Sequence, residues 1–201
     1  MKEPEALIEA YCFQSNFYAK YDLRPRGDES FQYVRFIGAR IENSVLEKCK
    51  AEIKHYKDFS TYDEEGLDWL LRKTTPEQRN RFTSELAELT HTLDSISGVG
   101  LSKATKILHT RYPEIIPMID NPLQKEYKSI KPEWRKGDWC QLFKDYYDNF
   151  LVEKTYDNLC TVHGNLSHLK LTKVRVFDIL WWSFLKSKKN KIDWKTIRQI
   201  R

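Results

Sequence analysis

Phe82, Leu86, Leu89 and Leu93 recur at intervals of four, three and four residues, and the chain then meets Gly98-Val99-Gly100. That spacing places four large apolar side chains on one face of a helix. A start signal stands at its other end. Thr75 can accept a hydrogen bond from a first-turn N–H, and Pro76 suits the first helical position. A second helical pattern leaves the glycines at about Leu101, with Ala104 and Leu108 placed to pack it against the first. Glycines serve a turn that needs positive φ or close approach of another backbone. Val99 between them can anchor the turn in the core. The region is therefore committed to two helices joined by a short turn.

The same period governs the rest of the chain, and strand-like alternation is nearly absent. Leu7, Ala10, Tyr11, Phe17 and Tyr21 share a face of a first helix, which Arg24-Pro25-Arg26-Gly27-Asp28 then breaks. Helical periodicity resumes over 31–57, where Val45, Leu46, Cys49, Ile53 and Tyr56 fall together. A short helix is expected from Asp63 to Arg72. Pro113 and Pro117 end the helix after the glycines, and Asn121-Pro122 starts another. Aromatic residues predict a helix near 133–150. Val174, Phe177, Ile179, Leu180, Trp181, Phe184 and Leu185 predict a broadly apolar one. The fold class is all-α.

With 201 residues the chain can bury one large core or two small ones. No apolar run approaches the ~20 residues of a membrane span. Met1-Lys2-Glu3-Pro4-Glu5 has no apolar segment of the kind a secretory signal needs. Cys12, Cys49, Cys140 and Cys160 lie far apart with no C-x-x-C pair, so no local zinc or iron–sulfur signature exists. They read as reduced thiols of a cytosolic protein, and the five histidines show no metal spacing. Net charge is +5, but residues 170–201 hold ten Lys/Arg against two Asp/Glu. A basic end on a near-neutral body suits contact with phosphates, or simply a solvated tail.

The N–H groups opened at the start of the second helix favour an anion. A DNA phosphate is the natural ligand there, bound without reading sequence. Gly98, Val99, Gly100 and Ser102 supply the backbone of such a site, and Lys103 and Lys106 the positive charge.

The stretch from Ser95 to Leu108 resembles the helix-hairpin-helix motif of the DNA glycosylase superfamily that includes endonuclease III and adenine glycosylase. In that family a catalytic Asp follows the first hairpin glycine by 22 residues. Here that position is Asp120, reached through Tyr112-Pro113-Glu114-Ile115-Ile116-Pro117-Met118-Ile119. The match covers about residues 94–124. It implies two small helical domains around a cleft: 31–124 with the hairpin, and 1–30 together with 125–201. It also implies double-stranded DNA as partner and a monovalent cation held by hairpin carbonyls. The cysteine-ligated iron–sulfur tail of the family is missing, as it is in some members, so no iron–sulfur cluster is expected. A monomer in the cytoplasm, associated with the nucleoid or nucleus, is expected. Bifunctional members carry a Schiff-base lysine four residues after the first glycine. Ser102 stands there, so the resemblance implies base removal without efficient strand cleavage. Ser97 replaces the usual Pro, and where the family often has Thr or Asn after the Asp and later an Arg, Asn121 is followed here by Pro122-Leu123-Gln124-Lys125.

An acid at that position has a chemical reason. Breaking an N-glycosidic bond builds positive charge on the sugar, which a carboxylate can stabilise. The base must first be extruded into a pocket, for which Trp134, Trp139, Tyr146, Trp181 and Trp182 are available. Asp120 could equally cap a helix. Three readings follow: a monofunctional DNA glycosylase, a non-catalytic DNA-binding protein that keeps the hairpin, and a helical interaction protein using it as a turn.

Overall fold

The structure is a computed structural model that describes residues 4–14, 21–22, 27–56, 58–151 and 154–188. Among them there is no strand. Among the described residues, nine α-helices of a turn or more follow in order: α1 Pro4–Gln14, α2 Asn43–Ile53, α3 Asp58–Arg72, α4 Pro76–Asp94, α5 Leu101–Arg111, α6 Asn121–Ile130, α7 Trp139–Leu151, α8 Thr155–Asn165 and α9 Lys173–Lys188. A 3-10 helix, Asp28–Ile37, precedes α2, and a short one, Ser167–Leu169, precedes α9. No described helix is long and apolar enough to cross a membrane.

α4 begins where its cap predicts. Gln78 N donates to Thr75 Oγ1 at 3.3 Å, and Thr75 N donates back to Gln78 Oε1 at 2.8 Å. The two bonds satisfy two otherwise orphaned amides. Phe82, Leu86, Leu89 and Leu93 are all buried, packing α4 against α7 and α5. Phe82 is central. It meets Phe59 of α3 at 5.6 Å and Tyr147 of α7 edge-on at 5.4 Å between ring centroids.

The periodic stretch 31–57 is not one helix. Gly38 takes φ +76°, which ends the 3-10 helix, and α2 begins only at Asn43. The backbone reversal at Gly38 wins over continuous periodicity because glycine enters that region without steric cost. The helix expected over Asp63–Arg72 starts earlier, at Asp58, and is interrupted at Gly66. The aromatic helix near 133–150 starts at Trp139, after a turn.

α1 packs on α8 and α9, so the first and last described helices meet. Buried side chains from Ile8 through to Leu180 form a continuous cluster that includes all of these helices. All four cysteines are free thiols, with Cys49 buried and Cys140 exposed. Of the basic C-terminal stretch, residues 189–201 lie outside the described residues, as does Phe17.

Candidate nucleic-acid interface

α4 ends at Asp94, and α5 starts at Leu101 with Gly100 as its N-cap. Between them the chain reverses tightly, with Val99 N donating to Ile96 O at 2.9 Å. Gly98 is exposed at φ +85°, and a Cβ there would meet nothing within 4 Å. Its requirement is thus conformational, not spatial. Val99 is buried and pins the turn to the core. The amides of Gly98, Gly100, Leu101 and Ser102 find no acceptor among the described residues, whereas Lys103 N and Ala104 N already bond Gly100 O. Those open donors sit at the positive end of α5.

Lys103 and Lys106 take different places. Lys103 Nζ donates to Gly98 O at 2.7 Å, which closes the hairpin and leaves an ammonium at its exposed edge. Lys106 is half-buried. Its ammonium lies 3.9 Å from where a Cβ on Gly38 would stand. Burial lowers its pKa, the nearby Asp120 opposes that, and Arg175 adds to it. An acid also stands by the turn: Asp94 Oδ1 is 3.9 Å from the Cβ position of Gly100.

Asp120 is brought to α5 by the segment before it. Residues 112–119 have no helical bonding of their own beyond a turn, yet most are buried. Buried loops are uncommon because their amides and carbonyls need partners. Here side chains from four helices supply them. Asp63 of α3 accepts from Glu114 N at 2.7 Å. Tyr147 of α7 donates to Ile115 O at 2.6 Å, and Thr172 to Pro113 O at 2.9 Å. His109 Nδ1 meets Ile116 O at 2.5 Å. Asp178 of α9 accepts from Met118 N at 3.0 Å. Thr105 of α5 accepts from Ile119 N at 3.0 Å, its hydroxyl also lying 3.4 Å from Ile119 O.

The last of these ties fixes Asp120 beside α5, about one turn in from the hairpin. Asp120 caps α6, its Oδ1 accepting from Leu123 N at 3.1 Å. Burial raises its carboxyl pKa, while the Leu123 amide and Lys106 hold it down.

The candidate pocket aromatics are engaged with one another and with neighbouring groups. Trp134 Nε1 donates to Asp138 O at 2.9 Å, and its ring meets Trp139 at 5.9 Å. Tyr146 stacks on Trp181 at 6.0 Å and donates to Asp178 Oδ1 at 3.2 Å. Trp182 meets Tyr11 edge-on at 5.3 Å. A cavity of about 120 Å³ lies at the far end of α5, between His109, Thr110 and the start of α9, and Asp120 does not line it. Among the described residues there is no group of three or more His, Cys, Asp or Glu that could hold a metal.

Sequence reasoning missed the side chains that hold the loop. Asp178 did leave a signal: it is the only acid in the apolar run Val174–Trp182. An acid on an otherwise apolar helix is expected to be buried with a partner.

Fold and site together define an all-helical protein in which a glycine hairpin opens α5 and a half-buried aspartate, the cap of α6, is held beside that same helix. Residues 66–185 match a family of unknown function (DUF6308), and the chain belongs to that family. The matched span contains the hairpin, the bonded loop, Asp120 and Asp178. No curated protein and no solved structure matches the chain.

Proposed function

We propose that this protein binds double-stranded DNA through the hairpin at residues 95–103, as a helix-hairpin-helix module. A backbone phosphate would sit on the amides of Gly98, Gly100, Leu101 and Ser102, with the Lys103 ammonium beside it. The observation that carries this reading is the set of open amides in a turn already closed by Lys103. A preformed cluster of N–H groups at a helix start costs little to organise around an anion. Binding of this kind is indifferent to sequence and falls with salt. It would act on DNA in the cytoplasm or nucleus as a monomer, and hairpin carbonyls would also be open to a monovalent cation.

Ser102→Asp tests it. An acid in the first turn of α5 favours the helix, so the fold survives, but it repels a phosphate. Fluorescence anisotropy with a labelled duplex at about 50 mM salt should show at least tenfold weaker binding by the variant. Wild-type protein that does not bind, or a variant that binds equally, removes the proposal.

A specific observation favours a second reading, a monofunctional base-excision glycosylase. The loop fixes Asp120 beside the hairpin helix, and burial raises its carboxyl pKa. In that reading Asp120 stabilises charge on the sugar, and Ser102 leaves no Schiff-base lysine at that position. Base release from duplexes carrying uracil, alkylated, oxidised or mismatched bases should then be lost in Asp120→Asn with DNA binding retained. Asparagine still caps a helix, so loss would not reflect unfolding. No release from any duplex leaves the binding module alone.

A further inference from the structure

The cavity at the C-terminal end of α5 is independent of the hairpin and of Asp120. We propose that it binds a small oxyanion that carries its own hydroxyl, of the size of glycolate or inorganic phosphate. Its volume is about 120 Å³. Benzene fills a cavity of ~150 Å³, so this one takes a ligand of a few heavy atoms.

Two buried charges build its wall. Arg175 Nε donates to Asp22 Oδ1 at 3.0 Å, with the two side chains only 5% and 7% exposed. The other carboxylate oxygen, Asp22 Oδ2, is buried and has no hydrogen-bond partner among the described residues. A buried charged acceptor left without a donor is expensive, and a site of this polarity is rarely empty. The group that would satisfy it is an O–H or N–H.

The electrostatics choose the rest of the ligand. Asp22 and Arg175 offset each other, which leaves Lys170 as the uncompensated charge among the described lining residues. Lys170 is exposed, forms no ion pair with any described residue, and sits at φ +54° and ψ +29°. A non-glycine residue in the left-handed region is strained, and such strain clusters at binding sites. Thr172 and Arg175 both line the cavity; Thr172 immediately precedes α9 and Arg175 lies in its first turn, where Arg175 N donates to Thr172 Oγ1 at 3.0 Å. The positive end of a sixteen-residue helix therefore adds to Lys170. The ligand is an anion on the Lys170 side and a hydroxyl donor on the Asp22 side.

Thermal unfolding at about pH 6 and constant ionic strength tests this with four probes: glycolate, inorganic phosphate, acetate and sulfate. Acetate and sulfate lack the hydroxyl. Glycolate or phosphate should raise Tm by about 3 °C or more at saturation, and the other two should not. Lys170→Gly relieves the left-handed backbone, so the variant keeps or gains stability, and it should lose the ligand shift. If one hydroxylated anion responds and the other does not, the responder names the oxyanion. A shift that acetate and sulfate reproduce, or that survives in Lys170→Gly, is general salt stabilisation and overturns the site. No shift with any probe means the cavity holds water only and also overturns it. Each outcome is separable from DNA binding, which none of these measurements involves.

Discussion

Asp178 and Met118 lie sixty positions apart in the chain, and the Met118 amide donates to the Asp178 carboxylate at 3.0 Å. The same carboxylate accepts from Tyr146 Oη at 3.2 Å, so one buried acid ties α7 and α9 to the loop that carries Asp120. Burial lifts its pKa to about 7, while the Met118 amide, Arg175 and Tyr146 pull it down. An unfolded aspartate titrates near ~3.9. With the native value raised, the contribution to stability is complete below the unfolded value and is lost as pH rises through the native one. Between about pH 4 and pH 7 the wild type should therefore lose stability relative to Asp178→Asn by on the order of a few kcal/mol. Urea unfolding at about pH 4.5, 6 and 8 reads the gap, which should widen in the variant's favour and then level off. Parallel curves would mean that Asp178 is charged at every pH tested.

Thr105 is the corresponding tie on the hairpin helix. Its hydroxyl is fully buried, accepts from Ile119 N and lies within reach of Leu101 O and Ile119 O. Thr105→Val keeps the shape and strands the Ile119 amide. The expected cost is roughly 1–3 kcal/mol. Thr105→Ser should recover most of it, because the hydroxyl returns without the methyl. Should valine cost less than about 0.5 kcal/mol, the Ile119 amide has another partner and Thr105 does not position Asp120.

What the sequence made legible was local. The Thr75 cap, the Phe82–Leu93 stripe and the glycine turn are each written within a few residues, and each stands where expected. α8 was not read. Its N-cap, Lys154, holds φ +64° with no capping side chain, so neither a start signal nor a glycine marks it. The partners of Asp120 were unreadable for a different reason. Periodicity reports which face of a helix is buried, not which distant backbone its polar side chains satisfy. Thr105, Asp63, Tyr147 and Asp178 reach the loop from separate helices, and Arg175 meets Asp22 across 153 positions. The resemblance, through the spacing from Gly98, singles out Asp120 as a candidate. The bonds that place it come from the tertiary fold.

Gly98 gives a test in which packing plays no part. With φ at +85° and nothing within 4 Å of a Cβ, Gly98→Ala is penalised by backbone conformation alone. The expected loss is about 1–2 kcal/mol, and Gly98→Asn should lose less because asparagine tolerates the left-handed region. Thermal midpoints of the two variants decide it. Equal losses would show that the turn does not hold the left-handed conformation in solution.

Asp94 supplies the sharpest check on where a phosphate would sit. Its carboxylate stands by the turn, close to Gly100, and opposes any anion bound on the open amides. It also occupies the last position of α4, where negative charge is unfavourable for the helix. Asp94→Asn should therefore leave stability unchanged or slightly higher. Duplex affinity should rise several-fold at about 50 mM salt and by less at about 200 mM, because the removed repulsion is screened. The pair of salt concentrations matters, since a general change in net charge and a local change at the hairpin both strengthen binding at low salt. Glu88→Gln on the same helix separates them by making the same change in net charge nearly two turns away from Asp94. Equal gains in the two variants would place the DNA somewhere other than the glycine turn.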